Sequence, residues 1–439
     1  MEWISLLGVG IALAVFIYFA YNGHNIGLLT IIASVIVLVF SGIPWYKGLS
    51  ETYMGTFVGF FQKWFLVYLF SSLFARMMSD SGAAYSLAVK IARICKRWPK
   101  HQKFLAVMSI PFINSILTYG GVSSLVVVFI MVGLAKDLFR ELDIPWHFYG
   151  VAALGSATFA VGWLPGAPDV INLTPTTYLG TTPTAAPILG IIGTVIMIVL
   201  SIFYVKTTLK KAEERNETFL PTGKRIQEDS TIGRTDSVEY SVLRSVFPCI
   251  VLLVVMNVLK QPPAVALIAA NIVCLALFWK QIDLKRVSQV GVPIGINTCV
   301  MISGTIAFGA VITITSAYNF ITTGMDALEF LPPAFQIFIC VNVIAALTSS
   351  GTPAVTITMQ TFAERFLQAG VPAEAIHRLA TGTALSLNTL PHSPGVVNAA
   401  TAAKLEVKEI YRHYLWITVI FPFIAAFIVA VLITAGFVM

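Results

Sequence analysis

Two short stretches of this chain read almost alike. Leu164-Pro165-Gly166-Ala167-Pro168-Asp169-Val170-Ile171-Asn172 returns as Leu390-Pro391-His392-Ser393-Pro394-Gly395-Val396-Val397-Asn398, with Pro165, Pro168 and Asn172 matched at one constant offset by Pro391, Pro394 and Asn398. Proline cannot continue a helix, so each stretch predicts a break, and the half-helix resuming after it offers unpaired N–H groups with a positive partial charge. That arrangement favours an anion. Glycine and proline predict two further breaks, at 118–121 and 348–353, each inside an apolar run. Around the four breaks stand Asn114, Thr118, Tyr119, Gly120, Gly121, Ser123 and Asn172 in one half of the chain. The other half supplies Thr348, Ser349, Ser350, Gly351, Thr352, Ser393 and Asn398. Hydroxyls, amides and bare backbone together suit a carboxylate that itself carries hydroxyl groups, so these residues are the candidate substrate contacts. Any single Ser or Thr among them has a plainer use, bonding the broken backbone. The case for a site rests on the four clusters jointly.

Ionisable residues near the breaks are Asp169, aligned with Gly395, and His392, aligned with Gly166. Each occurs in only one copy of the motif, as coupling chemistry added to a symmetric frame requires, and ionisable groups inside a membrane are functional candidates. The competing readings are a helix N-cap for Asp169 and a packed, hydrogen-bonded imidazole for His392. Enzyme chemistry finds less support. Gly121-Val122-Ser123 with His392 as base resembles an intramembrane serine site only faintly, and HExxH and phosphate-loop motifs are missing. The five cysteines, Cys95, Cys249, Cys274, Cys299 and Cys340, are odd in number and lack metal-ligand spacing. Neither a metal nor a cofactor is expected.

The elements that must position these residues are membrane helices. Of 439 residues, 57% are hydrophobic and only 11% charged, far below the roughly 25% charged of a soluble chain. Apolar segments near 3–20, 26–43, 52–75, 146–164, 186–205, 242–259, 263–279, 294–320, 375–390 and 414–438 predict spanning helices, and the first reads as retained and not as a signal peptide. The interrupted runs 104–135 and 334–363 have arms of about 14 residues, roughly 21 Å, too short for a core of about 30 Å. They are expected to be re-entrant hairpins. With the N-terminus outside, Arg76, Lys90, Arg93, Lys136, Arg140, Lys206, Arg244, Lys285, Lys404, Lys408, Arg412 and most other basic residues then fall inside. Only Lys47, Lys260, Arg365 and Arg378 fall outside, as the positive-inside rule demands. The formal charge of +7 therefore belongs to cytoplasmic loops, and nucleic acid is not an expected partner.

The order of elements runs twice. The expected fold is an all-α membrane protein of two inverted-topology repeats, each with three helices, a re-entrant hairpin, a discontinuous helix and a final helix. The boundaries are 1–206 for the first repeat, 207–241 for a cytoplasmic linker and 242–439 for the second, inverted repeat. Inverted repeats with broken helices meeting near the midplane are a recurrent transporter plan. A carrier is favoured over a passive anion channel on that ground.

At the first break the sequence resembles a known family. Leu164-Pro165-Gly166-x-Pro168, Asn172-x-x-Pro175-Thr176 and Gly180-Thr181-x-x-x-Ala185-Ala186-Pro187-x-x-Gly190 are together similar to the gluconate permease (GntP-type) family of the ion transporter superfamily. The resemblance implies a multi-pass symporter of the cytoplasmic membrane, surrounded by lipid and assembled as a homodimer. Its substrate would be a small organic acid anion, coupled to protons or alternatively to Na+. It also implies substrate contacts at Thr118–Gly121 and Thr348–Thr352. Where the gluconate-carrying branch has Pro-Pro-His-Pro-Gly-Pro, this chain has Leu164 to Asp169, and where that branch has His-x-x-Asp-Ser-Gly, His392-Ser393-Pro394-Gly395 stands here. The implied substrate is thus gluconate-like or a shorter hydroxy acid such as 3-hydroxybutyrate.

Overall fold

The computed structural model describes residues 2–22, 24–119, 124–167, 169–228, 240–259 and 261–438, and every element among them is helical. Glu2–Ala20, Trp45–Asp80, Pro187–Glu214, Leu284–Thr313 and Val407–Thr434 are long and apolar enough to cross a membrane. Ile26–Phe40, Val242–Val255, Pro263–Phe278 and Pro333–Thr348 are shorter apolar helices. Local sequence explains their starts. Asn25, Ser241 and Asp283 accept N–H bonds from the first turns of the helices they precede, and Pro187, Pro263 and Pro333 occupy first turns, where a missing N–H costs nothing.

The centre of the fold is the packing of Met54–Asp80 along Leu284–Thr313, with Ile26–Phe40 and Pro263–Phe278 against the pair. Gly291 and Gly295, one turn apart, set that approach: a Cβ on Gly295 would lie 2.9 Å from the Leu69 Cα. Close contact at small residues is how helices associate where lipid removes the hydrophobic incentive. Ser72 adds a polar tie, donating from Oγ to the Gly291 carbonyl at 2.8 Å.

Two pairs of helices stand where the hairpins are expected, with different limits. Their arms are Gln102–Tyr119 and Ser124–Glu141, then Pro333–Thr348 and Gly351–Gln368, of 18, 18, 16 and 18 residues. Even the longer arms reach only about 27 Å, still short of a core of about 30 Å. Thr118 and Tyr119 are helical, and the second break is confined to Ser349 and Ser350, because Thr352 and Pro353 fit the first turn of a helix. Gly120, Gly121 and Ser123 lie outside the described residues, as does Pro168. The discontinuous segments are irregular as anticipated: a 3₁₀ stretch Trp146–Ala152 leads into a π-helical Leu154–Trp163, and Ala373–Thr383 is followed by a 3₁₀ turn at Leu387–Thr389. Two helices that apolar runs did not predict, Ala83–Lys96 and Ser316–Gly324, lie between the third helix and the hairpin of each half.

The described part of the linker, residues 207–228, is largely helical. Pro187–Glu214 carries eight residues into it, and Phe219–Thr222 and Lys224–Glu228 form short helices. Side-chain contacts dock it. The Phe219 N–H donates to Asp143, the Trp146 N–H donates to Thr222 Oγ1, and Arg225 pairs with Glu406 and Glu409. Glu217 reaches His147, whose other ring nitrogen lies 2.8 Å from Nε2 of His413.

Candidate functional site

The hairpins and the broken segments pack reciprocally. In the first hairpin, arm Gln102–Tyr119 lies on Leu154–Trp163 of its own half, and arm Ser124–Glu141 lies on Pro394–Ala403 of the other half. In the second, Pro333–Thr348 lies on Ala373–Thr383 of its own half, and Gly351–Gln368 lies on Val170–Leu179 of the other. Each hairpin therefore touches a segment flanking each break. The approach is tight at Gly155, where a Cβ would stand 2.0 Å from the Pro111 carbonyl oxygen, so only glycine is tolerated there.

At the first break Gly166 takes φ +85, a conformation cheap only for glycine. Its N–H donates to the Pro183 carbonyl at 2.9 Å, and the Tyr119 hydroxyl donates to the Pro165 carbonyl at 2.8 Å. Asp169 accepts from the Ile171 N–H at 2.9 Å and so caps Val170–Leu179. No ion pair reaches its carboxylate among the described residues. Asn172 is fully buried and its amide is spent inside the protein: Nδ2 donates to the Ala167 and Pro183 carbonyls. Oδ1 accepts from Nη1 of Arg378 at 3.2 Å and from Nε2 of His377 at 3.1 Å.

Arg378 departs from the sequence reading, which counted it among the residues that fall outside. Its side chain is wholly buried and meets no carboxylate among the described residues. The guanidinium donates instead to the carbonyls of Gly162, Pro183 and Ala185 and to Asn172. One side chain of the second half thus ties together the first broken segment and the 181–186 turn.

At the second break Ser393 caps the next half-helix, accepting from the Val396 N–H. The hairpin tip is seated beside it. A Cβ on Gly351 would lie 2.7 Å from Ile171 Cδ1 and 3.1 Å from Asn388 Nδ2, one neighbour from each break. Thr348 donates to the Ile344 carbonyl, the plain use of such a residue, whereas Ser349 sits at φ 50 in the left-handed region. Strain of this kind persists only where its surroundings enforce it and gathers at functional sites. His392 is packed as its plainer reading required, edge-on to Phe16 and Phe308. It departs from that reading in its polar atoms, for neither ring nitrogen has a partner of ordinary hydrogen-bond geometry among the described residues. Ser349 Oγ and Asn388 Oδ1 are buried in the same condition, as is Thr118 Oγ1 in the first hairpin.

The remaining candidates are placed simply. Asn114 is buried and donates from Nδ2 to the Ala152 carbonyl at 2.8 Å, Asn398 is buried, and Ser350 and Thr352 are half-buried at the second tip. The sequence reading missed Arg378, His377, Asn342 and Ser386, the last of which donates from the second broken segment to Asn342 in the hairpin arm. An arginine at the centre of Ala373–Thr383, where an apolar run predicted a spanning helix, was the available signal.

Comparison with known proteins adds one coarse fact. The chain is 25% identical to the uncharacterized transporter YxjC of Bacillus subtilis (strain 168), over an alignment covering 96% of each protein. No family model matches it.

Proposed function

We propose that this protein is a secondary active transporter of the cytoplasmic membrane, carrying a small organic acid anion, gluconate-like or a shorter hydroxy acid, together with a proton. The observation that carries this reading is the reciprocal packing of two hairpins across two helix breaks. Irregular backbone at membrane depth is tolerated where it lines a cavity, and paired breaks are where carriers bind substrate. The buried polar atoms of Thr118, Ser349, Asn388 and His392, which lack a well-formed partner among the described residues, support it, since such atoms need an explanation and a ligand supplies one. The similarity to a protein named a transporter points the same way.

The test is transport by purified protein in liposomes, with labelled 3-hydroxybutyrate and gluconate as probes. Uptake is expected to saturate and to show counterflow, with label accumulating when the liposomes are preloaded with unlabelled acid. A pH gradient is expected to drive accumulation and a Na+ gradient to leave it unchanged. Flux linear in concentration, without counterflow, would establish a channel instead.

The inverted arrangement makes a separate prediction from the charge distribution. Leu220 and Phe330 are 65% and 79% exposed, so cysteines there will react readily with a membrane-impermeant maleimide. They are expected to label from opposite sides, Leu220→Cys from the cytoplasm. Labelling of both from one side refutes the topology.

A further inference from the structure

Two buried imidazoles take no part in the transport reading. His147 lies in Trp146–Ala152, where the first broken segment begins, and His413 lies in the last turn of Val407–Tyr414 in the other half. Nδ1 of the first is 2.8 Å from Nε2 of the second. The outer nitrogen of each ring is also engaged. Nε2 of His147 lies 2.8 Å from Oε2 of Glu217 in the linker. Nδ1 of His413 lies 3.1 Å from the hydroxyl of Tyr204 on Pro187–Glu214, which also reaches the Arg412 carbonyl at 3.0 Å. Among the described residues the charges that act on the rings are Glu217 and Arg412, with Arg215 3.8 Å behind Glu217. The arms Gln102–Tyr119 and Ser124–Glu141, which also pack on Trp146–Ala152, bring no further charge to either ring.

Counting hydrogens fixes how many protons this chain of contacts can hold. A carboxylate only accepts, so Nε2 of His147 carries its hydrogen. In the neutral ring Nδ1 is then bare and accepts from Nε2–H of His413, which leaves Nδ1 of His413 as an acceptor for Tyr204. One added proton reverses the chain without breaking it. His147 becomes an imidazolium beside the Glu217 carboxylate, His413 moves its hydrogen to Nδ1, and the Tyr204 hydroxyl turns to the Arg412 carbonyl. A second proton has no place. Both facing nitrogens would then carry hydrogens inside a 2.8 Å gap, next to Arg412.

The linker is fastened to the same short stretch. The Trp146 N–H donates to Thr222 Oγ1 at 2.7 Å, and the Phe219 ring stands edge-on to the Trp146 ring with centroids 6.0 Å apart. With Glu217 on His147, a movement that parts His147 from His413 disturbs the seat of the linker. We propose that the imidazole pair is an acid-released latch, which holds the linker and the two halves together near neutral pH and lets go as the cytoplasm acidifies. Parted imidazoles titrate at about pH 6.5 and hold two protons below it, whereas the joined pair holds at most one. The state that binds more protons gains as pH falls, so acid favours the parted state. For a carrier that brings protons in, such release limits its own acid load. The release stands apart from the carrier reading, and only its effect on transport rests on it.

Cysteine reactivity of the linker tests the latch on purified protein. Ile226 is 1% exposed, and Leu220 on the preceding short helix, 65% exposed, is its reference. The maleimide labelling rate of Ile226→Cys divided by that of Leu220→Cys cancels the pH dependence of the thiol itself. In the otherwise native protein this ratio is expected to stay low down to about pH 7 and to rise about tenfold per pH unit below about 6.5. His413→Gln keeps a donor and an acceptor but takes up no proton, so its ratio is expected to stay low to about pH 5.5. His147→Gln is the second arm, for the same reason. A flat ratio in the native sequence overturns the latch, as does a native-like rise in either glutamine variant, or a linker open at every pH in both. Counterflow in liposomes held at one pH on both sides reports the effect on transport. It is expected to fall over the range in which the ratio rises, and to stay level in His413→Gln. Counterflow that ignores the opening overturns control of the carrier by the latch. Absence of any uptake by the wild type overturns the carrier reading, while the labelling ratio still decides the latch.

Discussion

Replacing Arg378 with methionine is expected to lower the thermal midpoint of the purified protein sharply and to expose the 181–186 turn to protease. The guanidinium spreads five donated bonds over three carbonyls and one amide oxygen, from 2.8 Å to 3.2 Å. Some acceptors keep another donor in the variant. Gly162 retains the Thr381 hydroxyl and Pro183 retains the Gly166 N–H. The Ala185 carbonyl, which takes both Nε and Nη2, is left with no side-chain donor. A buried acceptor left unsatisfied costs about 1–3 kcal/mol, and each bond to a charged donor is worth roughly 1.5–3 kcal/mol. Several such bonds lost at once outweigh the relief of no longer burying a charge. Arg378→Lys should fall between, because an ammonium cannot span acceptors set out for a planar fork. Gly190 keeps that fork's space, since a Cβ there would lie 3.2 Å from the Arg378 Nε and 2.6 Å from the Trp163 carbonyl oxygen. A methionine variant with an unchanged midpoint would show that the clamp is dispensable.

Arg378 also marks where sequence stops being informative. Apolar runs and the Pro/Gly interruptions are local features, and they located most of the apolar helices, although Leu284–Thr313 starts ten residues before the run that predicted it. Counting charges assumes that a basic residue is in a loop. It misplaces one whose acceptors are backbone carbonyls, because every residue type offers those and none advertises them. The same limit applies to the hairpin tips. Thr118 and Tyr119 look like part of a break because glycines come next, yet a helix needs only backbone partners, and it runs on through Tyr119. Asn172 was readable as a polar residue at a break. That its amide faces Arg378 and His377 was not, since those partners lie more than two hundred positions away. His147 and His413 meet on the same terms, and no motif links them. A single sequence conveys here where backbone is interrupted. Which polar groups then satisfy one another depends on how the two halves dock.

Asp169→Asn is expected to abolish uphill, pH-driven accumulation while leaving counterflow within about twofold of wild type. The carboxylate caps Val170–Leu179 through a 2.9 Å bond from the Ile171 N–H, and asparagine caps a helix about as well. The substitution therefore keeps size, geometry and the cap, and removes only the ability to take up and release a proton. A carboxyl that no cation neutralises can carry that proton beside a bound anion, so the pair crosses nearly uncharged and avoids part of the cost of moving charge through low dielectric. Exchange of one bound anion for another needs no net proton movement, which is why counterflow survives where accumulation fails. If the cap is the whole role of Asp169, the variant accumulates substrate with the pH gradient as wild type does. Proton coupling would then have to run through His392, whose ring is buried against Phe16 and Phe308 with both nitrogens lacking a well-formed hydrogen bond. His392→Gln would in that event lose pH-driven accumulation in place of Asp169→Asn, and the same pair of assays, counterflow and pH-driven uptake, assigns the proton to one residue or the other.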